Sequence, residues 1–318
     1  MKHFLPSLFF LLILPALLFS CKKESRQIIP YEVDSDEIYK PLKPNEEDNP
    51  YPTYGIDNIP GVTFDYEMTT PDNEVYIFFD NLTLLDVNPA ITQFLFNFIS
   101  YHLKEYGFIN PSDNSALPGV AELIHQGLAF DKAAASLLET IQKEFEQETD
   151  TILSYKTPFN AHFQIYPLFL TSDLVSYRLS AYFFTGGAHG MSVSNIFSFN
   201  LRDGHMYSFD EIIRPEDRKF VRQEIAARMA YAYPIYENIN TVDQYIDSLN
   251  VWLDHFDPDE RQVKITEDNF PVSDVALLKT GIVSIYQMYE LTPGSDGCPL
   301  IFIPYDDIKG CLSLEISE

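Results

Sequence analysis

From Phe159 onward the chain alternates apolar and polar residues with a period of two, the pattern of strands that bury one face. The alternation predicts three long strands over 160–170, 174–184 and 191–201. Thr171-Ser172-Asp173 and Arg202-Asp203-Gly204 supply the turn chemistry of an antiparallel meander. A shorter alternation over 62–68 sets Phe64, Tyr66 and Met68 on one face. Pro71-Asp72-Asn73 then turns it into a second strand over 75–79, so a hairpin is expected.

Elsewhere the period is helical. Asn88-Pro89 is a start signal, because Asn caps free amides and Pro at the first helical position forfeits no hydrogen bond. Ile91, Phe94, Leu95, Phe98, Ile99, His102, Leu103 and Tyr106 then share one face, and Gly107 ends the helix. Helical pattern returns over 117–147 with Leu137, Leu138, Ile141 and Phe145 as its stripe, over 215–232, and over 241–256 with Trp252 on the apolar face. The chain closes with strands over 275–278, 282–288 and 299–303 and a short helix near 306–312. Strands and helices in blocks argue an α+β fold, antiparallel sheets with helices packed on them.

The N-terminus has a different character. Lys2 and His3 precede an apolar run over 4–19, and Ser20 stands before Cys21. A charged start, an apolar stretch shorter than a membrane span and a small residue before cysteine read as an export signal over 1–20. The pattern resembles the lipobox of bacterial lipoproteins, which makes Cys21 the lipidated N-terminus. Residues 22–60 hold six prolines and many charges with no apolar period, the composition of an extended spacer. The expected organisation is therefore signal 1–20, lipidated Cys21 and acidic linker 21–60, a smaller α+β domain over 61–156, and a larger one over 157–318.

Charge narrows the partners. The formal net charge is −26, and removing 1–20 deletes one lysine and no acid, giving −27. Such a field disfavours nucleic acid and favours a cationic protein, while also serving solubility alone. The 25 phenylalanines and 20 tyrosines suit pleated sheet. With Cys21 assigned to lipid, Cys298 and Cys311 remain as a pair. A bridge between them would contribute about 3 kcal/mol in an oxidising compartment; unbridged, they are two small buried hydrophobes.

Catalytic spacings are missing. The sequence has no His-Glu-x-x-His helix, no Gly-x-Ser-x-Gly elbow and no phosphate-gripping glycine loop, and Asp257-Pro258-Asp259-Glu260 lacks the glycine of a calcium loop. No metal or cofactor is implied. One string stands out, Thr185-Gly186-Gly187-Ala188-His189-Gly190, set between two aromatic strands. Its glycines permit positive φ and close approach of another group, and His189 either works in a binding site or is held by a backbone carbonyl.

That string belongs to a wider pattern. Residues 177–190, then Phe197-Ser198-Phe199-Asn200-Leu201-Arg202-Asp203-Gly204, then Tyr289-Glu290-Leu291-Thr292-Pro293 and 301–308, resemble a family of domains of unknown function. It includes the ectodomain of the anti-sigma factor RsiV and the N-terminal, non-catalytic part of the peptidoglycan deacetylase PdaC. The resemblance implies an α+β fold of two subdomains, the second similar to a fragment of the Hsp70-type ATPase fold without its ATP site. It also implies binding of a basic, lysozyme-like protein or of cell-wall glycan, with Thr185, Gly186, Gly187, His189 and Glu290 as the candidate binding residues. The expectation is a lipid-anchored envelope protein, facing the periplasm from the outer membrane, that binds rather than catalyses. The alternatives are a structural envelope lipoprotein and a wall hydrolase pairing His189 with Glu290.

Overall fold

The computed structural model describes residues 61–69, 75–108, 132, 135, 136, 139, 159–236, 239–256 and 263–314. The expected export signal, Cys21 and the linker lie outside these residues. So does the helix expected over 117–147, except that 132, 135, 136 and 139 are helical.

Five strands form one sheet in chain order: β1 (Gly61–Thr69), β2 (Val75–Leu85), β3 (Phe159–Leu170), β4 (Leu174–Phe184) and β5 (Met191–Asn200). The three strands of the meander match the period-two reading to within a residue at each end. All neighbours are antiparallel except β2 and β3, which run parallel, a departure from the antiparallel expectation. Parallel neighbours need a crossover, and α1 (Pro89–Glu105) lies on the connection between them. Strands from either side of position 156 thus share one sheet, and one hydrophobic cluster joins Ile77, Phe79 and α1 to Phe163, Tyr177 and Phe183.

The start of α1 follows its sequence. Asn88 accepts a hydrogen bond from the Ala90 amide at 2.9 Å, while its amide group donates to the carbonyls of Leu201 and Arg202. The cap therefore ties α1 to the turn after β5. Gly204, at φ 73°, sits against Ala90 and the Asn88 side chain, where a Cβ would collide with Ala90.

Three further helices and three strands build a second layer: α2 (Phe209–Ile212), α3 (Arg218–Ala232), α4 (Val242–Phe256), and a small antiparallel sheet of β6 (Asp274–Leu277), β7 (Gly281–Ile285) and β8 (Leu300–Pro304). Trp252 is buried in its core with Ile225, Met229, Leu249 and Tyr286. The short helix expected near 306–312 is instead a run of turns, with Asp307 donating to Pro304 and Cys311 to Ile308. Buried Arg228 of α3 fixes those turns through Asp307 at 2.6 Å.

Two buried serines join the layers. The Ser176 hydroxyl donates to the Leu277 carbonyl at 2.6 Å, Ser198 Oγ lies 2.7 Å from Ser176 Oγ, and the Leu277 amide donates to Ser198 at 2.8 Å. Both serines point to the face of the five-stranded sheet opposite α1, so β6 docks there. The free edge of β5 is covered by side chains: Gln287 accepts from the Ser194 amide and donates to its carbonyl, as a neighbouring strand would. Asn195 donates to Asp274 just beyond.

Cys298 and Cys311 are free thiols, the unbridged one of the two states the sequence left open. Cys298 lies against the Ser192 carbonyl, whereas Cys311 is buried beside Arg214, and β8 runs between them. An extended strand of that length carries the chain roughly 16 Å. No described helix is long and apolar enough to cross a membrane.

Two predictions follow from the docking of the layers. Ser198→Ala strands the buried Leu277 amide and should lower unfolding free energy by about 1–3 kcal/mol in denaturant titration, with an unchanged m-value. Burial raises the Asp274 carboxyl to about 6, with Glu290 adding to the rise and the Asn195 bond opposing it. A raised carboxyl binds its proton more tightly when folded, so its contribution is full below the ordinary value and is lost as pH climbs through about 6. Asp274→Asn should remove a fall of about 3 kcal/mol from the stability–pH curve between about pH 4 and 6.

Candidate functional site

The outward-facing half of the strand alternation builds the site. Across the sheet, register aligns Glu67 of β1 with Phe78 of β2, His162 of β3, Tyr182 of β4 and Ser192 of β5. The second layer covers only one end of this face, where Ser176, Ile196 and Ser198 meet it. The other end opens as a groove of about 710 Å³ lined by Asp65, Glu67, Phe78, Asp80, His162 and Tyr182, together with Phe79 and Asn160.

Its walls are set by strand irregularities. Pairing slips between Phe64 and Tyr66 and again between Phe79 and Leu82, so β2 carries one extra residue against both neighbours and bulges at 80–81. Asn81 takes φ 53°, a conformation that Asn tolerates, and Asp65 accepts its amide at 3.1 Å. This turns Asp65 toward the groove beside Glu67. Asp80 Oδ2 accepts from Gln164 at 2.9 Å and lies 3.6 Å from His162 Nε2. Among the described residues no lysine or arginine pairs with Asp65, Glu67 or Asp80.

Aromatic rings form the floor. Phe78 lies parallel to Tyr76 at a centroid distance of 6.3 Å and meets the edge of His162 at 6.5 Å. Tyr182 is 40% exposed, enough to present its ring to a ligand. Its ring rests on Gly190, where any Cβ would overlap it. That is one physical reason for the glycine string. Gly186 and Gly187 supply the others, at φ 91° and 104°, where a side chain would be strained.

The candidate residues named from sequence are thus divided. Thr185, Gly187 and His189 are exposed on the rim loop, with Gly186 partly covered. His189 Nδ1 lies 3.0 Å from its neighbour's carbonyl at Gly190, the structural role that the sequence left open for it. Glu290 accepts from the Gln287 amide at 2.8 Å with one oxygen and from Ser273 with the other. It therefore braces the turn at Tyr289, which takes φ 68° and lays its ring over Gly294 as Tyr182 does over Gly190. No hydrogen bond or ion pair joins His189 to Glu290.

Both flagged strings nevertheless converge on the start of β5. Gly190 precedes it and seats Tyr182, while the 286–298 loop grips it through Gln287 on Ser194 and Cys298 on Ser192. The groove residues Asp65, Glu67, Phe78, Asp80, His162 and Tyr182 were not singled out from sequence. Their signal was there as the polar and aromatic half of each alternation, which a reading aimed at the buried half passes over. Among the described residues no cluster of His, Cys, Asp and Glu is arranged to hold a metal ion.

No family model and no curated protein matches the chain. Solved structures do. A DUF3298 family protein from Bacteroides fragilis superposes with a TM-score of 0.50 at 15% identity, over 81% of this chain and 94% of that one. A DUF3298 family protein from Pseudomonas aeruginosa is similar at 19% identity, with a TM-score of 0.46, over 81% of this chain and 95% of that one. At such identities the likeness speaks for the fold alone, and this chain shares the α+β arrangement of the Bacteroides fragilis protein.

Proposed function

We propose that this chain is a lipid-anchored bacterial envelope protein, tethered through Cys21 and the 22–60 spacer, whose folded part is a non-catalytic binding module for a basic protein. The observation that carries the reading is the open groove, in which three carboxylates surround aromatic rings on a sheet face. A groove of this sign complements a cationic surface and steers its encounter, an effect that a chain of net charge −26 amplifies over longer range. The exposed ring of Tyr182 beside Phe78 favours one other reading, a cell-wall glycan whose sugar rings stack on the aromatic floor. The hydrolase reading draws no support, because His189 and Glu290 are each committed to their own turns.

The mature chain, immobilised by its N-terminus, should retain lysozyme at low salt and release it at high salt, since screening weakens charge-driven contact. Retention of isolated peptidoglycan in place of lysozyme would favour the glycan. Retention of neither would overturn the binding reading. The tether has its own check: Cys21→Ser should abolish labelling by a radiolabelled fatty acid and move the protein from the membrane fraction to the soluble one. Persistent labelling would refute lipidation at Cys21.

A further inference from the structure

The rings and carboxylates of the groove are arranged around one point. Phe78 lies among them, second in the outward row between Glu67 and His162. Glu67 is its partner on the adjoining strand, about 5 Å away by strand spacing, and Asp80 is two residues along the same face, about 7 Å away. Asp65 enters from the bulge, fixed by Asn81. A cation held over an aromatic face within about 6 Å of the ring centre is therefore within reach of all three carboxylates. His162 already bears on Asp80 at 3.6 Å, and the contacts of Asp65 and Asp80 among the described residues fall on one oxygen of each.

We propose that this position is a subsite for a lysine side chain of a protein partner, its ammonium seated over Phe78 among Asp65, Glu67 and Asp80. An arginine fork matches one carboxylate in a single plane, whereas an ammonium is a compact charge with three protons on a flexible stem. Three separated carboxylates around a ring suit the ammonium. Tyr182, backed by Gly190, forms the wall along which the lysine methylenes lie. The proposal rests on the binding reading above and names the chemistry of its contact.

The mature chain should bind hexalysine more tightly than hexaarginine, and an N-acetylglucosamine oligomer of the same length weakly. Asp65→Asn with Glu67→Gln and Asp80→Asn should weaken hexalysine binding about tenfold. An equal charge change on exposed acids elsewhere, Glu139→Gln with Glu216→Gln and Asp306→Asn, should alter it less than about twofold. Phe78→Ala leaves the charge intact and should cost about threefold. Circular dichroism and melting temperature confirm that each variant folds. Equal weakening by the two triple variants, or no effect of Phe78→Ala, would overturn the subsite, as would preferential binding of the sugar oligomer. Equal retention of lysozyme by the wild-type chain and by the groove triple variant would sink the subsite alone. Wild-type chain that retains neither lysozyme nor hexalysine would sink the binding reading with it.

Discussion

The contact on which the arrangement depends is the one between Ser176, Ser198 and the Leu277 peptide. Leu277 ends an outer strand of the small sheet, and its amide and carbonyl are buried where no strand pairs with them. Each buried backbone group left unpaired would cost about 1–3 kcal/mol, so the strand docks only where donors and acceptors already stand ready. Two serines opposite one another on β4 and β5 provide both. Docking at that point covers one end of the sheet face and leaves the other uncovered by the described residues. The groove exists because the second layer stops at the start of β5, where Gln287 and Cys298 close its edge.

The same constraint explains why the glycine string and the Tyr289 turn lie near each other though about a hundred residues apart. The second layer must cover the β5 edge, and the segment after β7 does so with Gln287, Glu290 and Cys298. In both strings a tyrosine ring packs against a glycine, Tyr182 on Gly190 and Tyr289 on Gly294. At the rim this keeps Tyr182 exposed yet fixed in orientation, which lowers the entropy lost when a ligand covers it. At the turn it holds the loop that braces β5. His189 and Glu290, which looked like chemistry in the sequence, are parts of this bracing.

Much of the fold was legible because it is written locally. The strands over 159–200 have strict alternation and polar turns at both joints, and the cap at Asn88 announces itself by residue type alone. The parallel pairing of β2 with β3 was not legible, because it joins segments more than seventy residues apart and neither carries a local mark of its partner. The final helix failed for a nearby reason: the apolar spacing of Ile308, Cys311 and Leu312 is helical, but the segment opens at Pro304 and reaches Gly310 at φ 81°. The state of the cysteine pair stayed open in the sequence because short separation along the chain says little about distance when a strand intervenes. The groove was missed because outward residues on a strand ordinarily meet only water. Asp65, Glu67 and Asp80 gain meaning only once register gathers them.

The acidity of the chain does not by itself argue for a site. With 47 acidic residues against 21 lysines and arginines, most carboxylates have no basic partner anywhere in the molecule. Unpaired acids are then the ordinary case, and their spread over the surface serves solubility. What differs in the groove is their company. Elsewhere acids stand in solvent or beside bases, as Asp173 does with Arg202, Asp217 with Arg214 and Asp268 with Lys219. In the groove they ring exposed aromatic carbon, an arrangement that solubility does not need and that leaves apolar surface open to water. A cation with a hydrocarbon stem answers both halves at once, covering the rings while neutralising the carboxylates. Simple inorganic cations answer only the second half, and neutral sugars only the first.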